Sequence, residues 1–470
     1  MFEPLLETVE RFKKDQPIHT FLDSLERSPL HIAAMAGRDT NMEVMLNTLL
    51  GEAKRKAVTA AGIDGMTPLH LATNKGSDDC VVQLLNNWEK SRPHQFKDVW
   101  GRGPLHIAAS FGYHWIAQRL LRDLKLLSEQ EDHSGRTPRD YLLKGDLDLT
   151  EIGDVGDPTK MDKAHNKRAL LLELARLAPP GSSSDKEGKT YLHYAAAFMD
   201  ESAVVELLKR GFDLNAKDSI HGSTPLHEAI RKRRTDLAVS LIKGLNGFKA
   251  SFKTKDKLGA TAFLLACRVG LLGVIKTILE LDPTVKDDMD NDNATAMHYA
   301  VEFFDPDCTM LKFLVEKGCA PTPVPRTKSV GRTALHHGLE QGNDAAGVFI
   351  LNLPNHQWDP QDHDHISLLI TACQRDCPRS IEILTKKWPE WINLTHPRDG
   401  QTPLIYACDY GKVEIVKTLL DWYVFFQQAR RYNMRLTGTI ARTLTPISKQ
   451  RDGTTTRLFM QLCLQRVQKS

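Results

Sequence analysis

Histidine is the residue whose number and spacing in this chain most suggest chemistry. The 470-residue sequence contains 18 histidines, and an imidazole can act as a general base or as a metal ligand. Seven of them stand three residues after a recurring Ser, Thr or Gly: His31, His70, His106, His193, His227, His298 and His336. Repetition at one position indicates a shared structural role with satisfied ring nitrogens, so we expect no catalytic residue among them.

Two other groups of side chains have the composition of metal or thiol sites. The densest polar cluster, which suits a divalent transition metal, comprises His356, Asp359, Asp362, His363, Asp364 and His365. No complementary Cys or His spacing occurs elsewhere, so a polar hairpin tip is the favoured alternative and no metal ligand is predicted. The eight cysteines include no Cys-x-x-Cys pair. Cys267, Cys373 and Cys408 share one repeated position where other copies have alanine, which indicates small packing residues.

Signature motifs of common enzymes are missing from the sequence. It contains no glycine-rich phosphate loop, no His-Glu-x-x-His zinc motif and no Gly-x-Ser-x-Gly nucleophile motif. A catalytic triad can be assembled in space from distant residues, so an enzyme stays open as an alternative. The sequence nevertheless predicts a non-enzymatic chain without a cofactor.

The segments that carry the histidines each read as a turn, a helix, a second turn and a second helix. In one copy Asp64–Gly65 forms a turn, Thr67 caps a helix, and Pro68 takes its first position, where no N–H is needed. Asn74–Gly76 ends that helix, and the apolar residues of 81–85 mark the buried face of the next one. Such a unit cannot bury its apolar face alone, so it must stack on copies of itself.

Thr-Pro-Leu-His-Leu-Ala at this spacing resembles the ankyrin repeat, whose period is about 33 residues. Eleven copies follow one another, and their capping positions are Ser28, Thr67, Gly103, Thr137, Thr190, Thr224, Thr261, Thr295, Thr333, Ser367 and Thr402. The resemblance implies an all-α ankyrin-repeat solenoid over residues 28 to 420, with helical caps.

Departures from the repeat define the expected organisation of the chain. Residues 1–27 are predicted to form an N-terminal helical cap, and the fourth repeat carries an acidic insertion at about 144–163, with its second helix displaced to 164–177. We therefore expect repeats 1–4 in 28–178, a Pro/Gly/Ser hinge at 179–184, repeats 5–11 in 185–420, and a basic tail from 421 to 470.

Composition places the chain among folded, water-exposed proteins rather than membrane proteins. Hydrophobic residues make up 41% and charged residues 26% of the sequence, values typical of folded domains. No signal peptide or membrane-crossing run is evident, so we expect an intracellular, cytoplasmic protein. The basic run Arg231–Arg234 suits a nuclear import signal but also occupies a turn between two repeat helices. The repeats lack a basic stripe, so no nucleic-acid partner is expected.

In the ankyrin family, partners usually contact the hairpin tips and the concave face of the first helices, especially just before the turn between the two helices. The resemblance therefore implies contact residues of three kinds. Some lie eight positions after the cap, where four of eleven copies are aromatic; one lies at a tip; and others lie at positions whose residue type the repeat does not fix. The predicted set is Phe111, Phe198, Phe303, Arg375 and Tyr410, with Trp100 at a tip and Met66, Asn74 and Lys75 in the second repeat. Aromatic and arginine side chains dominate many interfaces. The alternative is that each ring packs on a neighbouring repeat.

The resulting functional prediction is a scaffold that binds proteins or peptides and is monomeric alone. One alternative is a substrate adaptor for a modifying enzyme, since Leu458–Val467 resembles the elongin-recruiting helix of SOCS-box ubiquitin-ligase adaptors. Another alternative is an enzyme or metabolite-binding protein built on the array. Fold alone does not decide among these functions.

Overall fold

The computed structural model describes residues 22–88, 97–124, 129–144, 158–179, 184–319, 327–329, 331–353 and 368–431. These residues contain 23 α-helices, two short 3₁₀ helices and isolated β-bridges but no strand, so the predicted all-α fold is confirmed. The chain divides into two compact units, Met1–Ile220 and His221–Ser470. None of the helices in the described segments has the length and apolar composition of a membrane span.

The described part of the first unit is built from eleven helices. They are α1 (Pro29–Ala36), α2 (Asp39–Thr48), α3 (Gly51–Thr59), α4 (Pro68–Lys75), α5 (Asp78–Asn86), α6 (Pro104–Phe111), α7 (His114–Leu124), α8 (Pro138–Lys144), α9 (Pro158–Leu177), α10 (Tyr191–Phe198) and α11 (Glu201–Lys209). Apart from α3, they pair as the first and second helices of repeats 1 to 5. First helices pack on first helices of the next repeat, as α1 on α4 and α4 on α6.

The second unit contains the other twelve described α-helices, which pair as repeats 6 to 11. They are α12 (Pro225–Arg231), α13 (Thr235–Lys243), α14 (Ala262–Val269), α15 (Leu272–Leu281), α16 (Ala296–Ala300), α17 (Thr309–Glu316), α18 (Ala334–Glu340), α19 (Asp344–Leu351), α20 (Leu368–Gln374), α21 (Pro378–Lys387), α22 (Pro403–Asp409) and α23 (Val413–Arg431). The 3₁₀ helices Pro283–Asp287 and Pro389–Asn393 follow α15 and α21.

Local sequence explains where the helices begin and end. Thr67 has extended backbone torsions, and Pro68 follows as the first residue of α4, because proline has the φ that a helix start needs and no N–H to leave unpaired. Gly76 ends the helix with a φ of +75°, a left-handed conformation that costs glycine nothing. Side chains on the inner faces form a continuous buried core within each unit, as with Leu69, Leu84, Leu105 and Leu120 in the first and Phe263, Ile275, Leu335 and Leu369 in the second.

The structure adds two features to the sequence interpretation. Helix α3 occupies the linker between repeats 1 and 2, in addition to the two helices of each repeat. The second helix of repeat 4 begins at Pro158, earlier than the predicted 164, and ends at the predicted Leu177.

Several predicted segments lie wholly or partly outside the described residues. These are the N-terminal cap up to residue 21, most of the insertion of repeat 4, the hinge residues 180–183, the polar cluster 356–365 and the tail beyond 431. The hinge at 179–184 therefore stays a prediction, whereas the two compact units divide between Ile220 and His221.

Candidate partner-binding surfaces

The repeated histidines are fixed as structural elements. In repeat 2 the ring nitrogen Nδ1 of His70 accepts the backbone N–H of Thr67 at 3.1 Å and lies 2.9 Å from its hydroxyl. The other ring nitrogen, Nε2, therefore carries the proton and bonds the carbonyl of Arg102 in the next repeat at 3.2 Å. In repeat 4, which lacks this histidine, the carboxylate of Asp140 accepts the N–H of Thr137 at 2.7 Å.

Burial favours the neutral form of four of these imidazoles. It lowers the pKa of His70 and of His298 to about 4, and it also lowers the pKa of His31 and of His106. The charged form is disfavoured because desolvation outweighs the nearby carbonyl and carboxylate groups. The interpretation of these histidines as structural is confirmed.

The cysteines have the surroundings of packing residues. All seven thiols of the described residues are buried and lie outside any disulfide bond, and burial raises the pKa of Cys319 to about 11 and of Cys377 to about 12. A buried thiol of high pKa is a poor nucleophile. The described segments contain no group of His, Cys, Asp and Glu that could hold a metal ion.

The hairpin tips of the first unit are joined by backbone hydrogen bonds. Ile63 donates its N–H to the carbonyl of Leu25 at 3.0 Å, and Val99 donates to the carbonyl of Asp64 at 3.0 Å. Successive tips are therefore held side by side. Their outermost side chains are apolar and exposed, and we name Leu25, Ile63, Val99 and Trp100 together the tip strip.

Trp100 is the largest side chain of the tip strip, and it is held in place while 54% exposed. The guanidinium of Arg102 lies 4.6 Å from the centre of its ring. The Arg102 Nε in turn donates to the Asp98 carboxylate at 2.7 Å, and the Asp98 side chain is fully buried. A buried anchor thus orients a half-exposed indole, and partner contact by Trp100 stays a prediction.

The other predicted residues of the first unit differ in exposure. Asn74, Lys75 and Phe111 are exposed, whereas Met66 and Phe198 are half-buried. The Phe111 ring stacks on Tyr113 with 5.5 Å between ring centres. These residues lie at the ends of α4 and α6, at α10, and at a tip.

In the second unit, the predicted contact residue Phe303 packs against Gly270 of the preceding repeat. A Cβ atom placed on Gly270 would lie 2.6 Å from the Phe303 ring, so the ring covers that glycine. The adjacent Phe304 is 62% exposed and was not singled out from the sequence. Arg375 is exposed, and Tyr410 is exposed while stacked on Tyr406 with 6.3 Å between ring centres.

Charged side chains on the first helices of the second unit form pairs that link repeats. Glu302 bonds Arg268 of the preceding repeat at 2.7 Å and His337 of the following repeat at 3.0 Å. Burial alone would raise the pKa of Glu302, but His337 and Arg268 outweigh it and the pKa is lowered. The surface here is charged and internally paired, unlike the tip strip.

Sequence reasoning missed three members of the tip strip, Leu25, Ile63 and Val99, and the exposed Phe304. A usable signal existed for Ile63 and Val99, because each stands at a hairpin turn close to an aspartate and a glycine. Phe111 and Phe198 belong to one compact unit, and Phe303 and Tyr410 to the other. Partner contact by all four rings stays a prediction.

Comparison with known proteins places these repeats in a family. The family model described as ankyrin repeats (3 copies) matches residues 4–91, 30–130, 163–249, 192–287 and 335–428. The putative ankyrin repeat protein FPV223 of fowlpox virus is 35% identical over 121 residues, which cover 26% of this chain and 80% of that protein. The solved ankyrin repeat domain of Bcl-3 is 23% identical with a TM-score of 0.36, covering 50% of this chain and 100% of that one.

Larger relatives match over part of their length. Rabankyrin-5 of Mus musculus is 26% identical over 241 residues, which cover 51% of this chain and 18% of that protein. The transient receptor potential cation channel subfamily A member 1 of Homo sapiens is 28% identical over 236 residues, which cover 49% of this chain and 18% of that protein. The chain thus spans less than a fifth of these two relatives. The family model matches more than half of the residues of this chain. The chain therefore belongs to the ankyrin-repeat family.

Proposed function

We propose that this chain is a non-enzymatic scaffold that binds partner proteins on exposed tips and first-helix ends of its repeats. The observation that supports this function most directly is the tip strip of the first unit. Single exposed apolar residues are common on protein surfaces, but a contiguous row of them marks an interaction site. Leu25, Ile63, Val99 and Trp100 form such a row on adjoining hairpins.

The geometry of Trp100 suits a binding hot spot. Tryptophan buries a large area on binding, and its loss of conformational freedom is small when the ring is already fixed. The stack with Arg102 and the bond from Arg102 to buried Asp98 fix it before any partner arrives. We propose that an apolar segment of a partner covers this ring together with Val99.

The predicted residues on the first helices extend this proposal within each unit. Lys75 and Phe111 are available in the first unit, and Arg375 and Tyr410 in the second. The engagement of the seven histidines and the burial of the described cysteines support a binding role over a catalytic one.

A tagged chain purified with its bound proteins from native cells tests the proposal. The double variant Val99→Ser/Trp100→Ala removes the apolar tip, and we expect recovery of strip-dependent partners to fall about tenfold. Trp115→Ala is the matched control, because Trp115 is 67% exposed in the same unit but lies on α7.

Circular dichroism and thermal unfolding of both variants establish that the fold is kept. Equal recovery of partners by the double variant and the unmodified chain would refute the role of the strip. Equal loss in both tryptophan variants would show that the effect is not specific to the tip.

A further inference from the structure

The turn between α12 and α13 contains a charged side chain where most repeats have glycine. Nine residues after the capping position, the first helix ends in the left-handed conformation, and six repeats have glycine there: Gly37, Gly76, Gly112, Gly270, Gly342 and Gly411. In repeat 6 the same position is Arg233, with a φ of +57°. An arginine thus occupies a place that glycine fills at no steric cost.

The conformation of Arg233 is unfavourable for any residue with a Cβ atom. In the left-handed region the Cβ approaches the following carbonyl oxygen, which destabilises the folded state relative to glycine. A strained residue that persists motivates a search for what its side chain does.

The Arg233 side chain lies on an aromatic surface rather than in an ion pair. Its guanidinium is 5.6 Å from the centre of the Phe303 ring, two repeats along. Phe303 reaches this place because Gly270, in the repeat between them, has no side chain to block it. Arg233 is exposed, and so is Phe304, the residue that follows Phe303 in the sequence.

The surrounding carboxylates are engaged by other groups. Glu228 pairs with Arg231 at 2.9 Å, and Asp256 lies 3.9 Å from the same guanidinium. Glu302 is taken by Arg268 and His337. Among the described residues, Arg233 and Arg234 take part in none of the ion pairs, although Asp236 follows in the first turn of α13. The turn therefore presents positive charge beside an aromatic surface.

We infer that this turn binds an acidic linear segment of a partner protein. Carboxylates of the segment pair with Arg233 and Arg234, and its apolar groups rest on Phe304 and the exposed edge of Phe303. The basic run lies in the turn between the two helices, since α12 ends at Arg231 and α13 begins at Thr235. The inference rests on the proposed scaffold function and names the chemistry of one partner.

Binding of a fluorescein-labelled oligoglutamate peptide to the purified full chain, followed by anisotropy at low salt, tests the inference. Arg233→Gly removes the charge and relieves the backbone, so the variant should unfold at an equal or higher temperature. We expect its affinity for the peptide to fall about fivefold, and added salt to reduce the difference. A variant that is no less stable but binds less cannot be explained by misfolding.

Asp376→Gly is the matched control, because Asp376 occupies the same position in repeat 10 with a φ of +60°. Its peptide affinity should not fall. Absence of saturable peptide binding by the unmodified chain, unchanged affinity in Arg233→Gly, or equal loss in Asp376→Gly would each overturn the inference.

A negative result for the acidic-segment inference is distinguishable from a negative result for the scaffold proposal. The peptide measurement uses no cellular partner and leaves the tip strip intact. Loss of partners in the tip variant together with unchanged peptide affinity in Arg233→Gly would reject only the acidic-segment inference.

Discussion

The two units have the same repeat, but the tips around Trp100 in the first and the first helices around Glu302 in the second expose side chains of different chemistry. In the first unit adjoining tips are joined through the backbone, which leaves Ile63, Val99 and Trp100 exposed. Polar side chains join tips in both units, as when Lys97 donates to the carbonyl of Glu131 at 3.1 Å in the first and the Ser329 hydroxyl donates to Asp292 at 2.6 Å in the second. Exposed apolar side chains occur in the second unit as well, as with Leu258 and Met289. The comparison teaches that the residues which build a repeat are separate from those that give its surface a chemistry, so each can change alone.

Acidification should produce the largest effect, and it should affect both units alike. His70 and His298 have folded pKa values near 4, below the unfolded value of 6.5, so the unfolded state takes up protons first as the pH falls. Stability is therefore lost between pH 6.5 and 4, by roughly 3 kcal/mol for each histidine. Urea unfolding at several pH values measures this loss.

The variants His70→Gln and His298→Gln should each reduce the loss of stability between pH 6.5 and 4 by the contribution of the histidine that is replaced. His133→Gln is the control, because His133 is exposed at a tip. A pH dependence unchanged in both buried-histidine variants would contradict the structural role assigned to these rings.

Glycine-to-alanine substitutions test whether each unit depends on close contacts between a glycine and an aromatic ring of the next repeat. A Cβ on Gly76 would lie 2.6 Å from the Tyr113 ring, and one on Gly270 would lie 2.6 Å from the Phe303 ring. Both glycines have positive φ, so Gly76→Ala and Gly270→Ala should each lower the free energy of unfolding by about 2–3 kcal/mol.

Gly37→Ala provides the comparison, since its added Cβ meets the flexible Lys75 side chain at 3.3 Å. We expect a loss of about 1 kcal/mol from backbone strain alone. Chemical denaturation measures all three, and an equal loss in each would show that the aromatic rings move aside freely.

The smallest effect should come from the charge pairs on the first helices of the second unit. Glu302→Gln removes the partner of Arg268 and His337, and we expect a loss of about 1 kcal/mol that shrinks with added salt. Ser110→Ala, at the equivalent position of repeat 3, should change stability by less than about 0.5 kcal/mol. A salt-independent loss in Glu302→Gln would count against an electrostatic origin.

The start of nearly every first helix could be predicted from the sequence, because its determinants lie within a few residues. Thr261 in repeat 7 lacks the proline and the histidine, yet α14 begins at the next residue. The cap is a local interaction between neighbours, so copies with changed partners still show it.

Features that depend on contacts between repeats could not be predicted in the same way. Which of Phe303 and Phe304 is covered depends on the free space above Gly270. The tyrosine hydroxyls that donate to tip aspartates, such as Tyr141 to Asp132 at 2.7 Å and Tyr299 to Asp290 at 2.9 Å, were also missed. Each pair is nine residues apart, across a turn whose shape the pattern alone does not give.

The hydrogen bonds between tips have a mechanical consequence. The carbonyl of Trp100 accepts the N–H of His133 at 3.0 Å, while the adjacent Val99 is bonded to Asp64 of the preceding tip. A force applied to the indole by a partner is therefore carried in both directions along the row. The hydrogen-bonded tips therefore resist a pulling force together rather than separately. Neighbouring hairpins share the load on one hairpin before any helix unfolds.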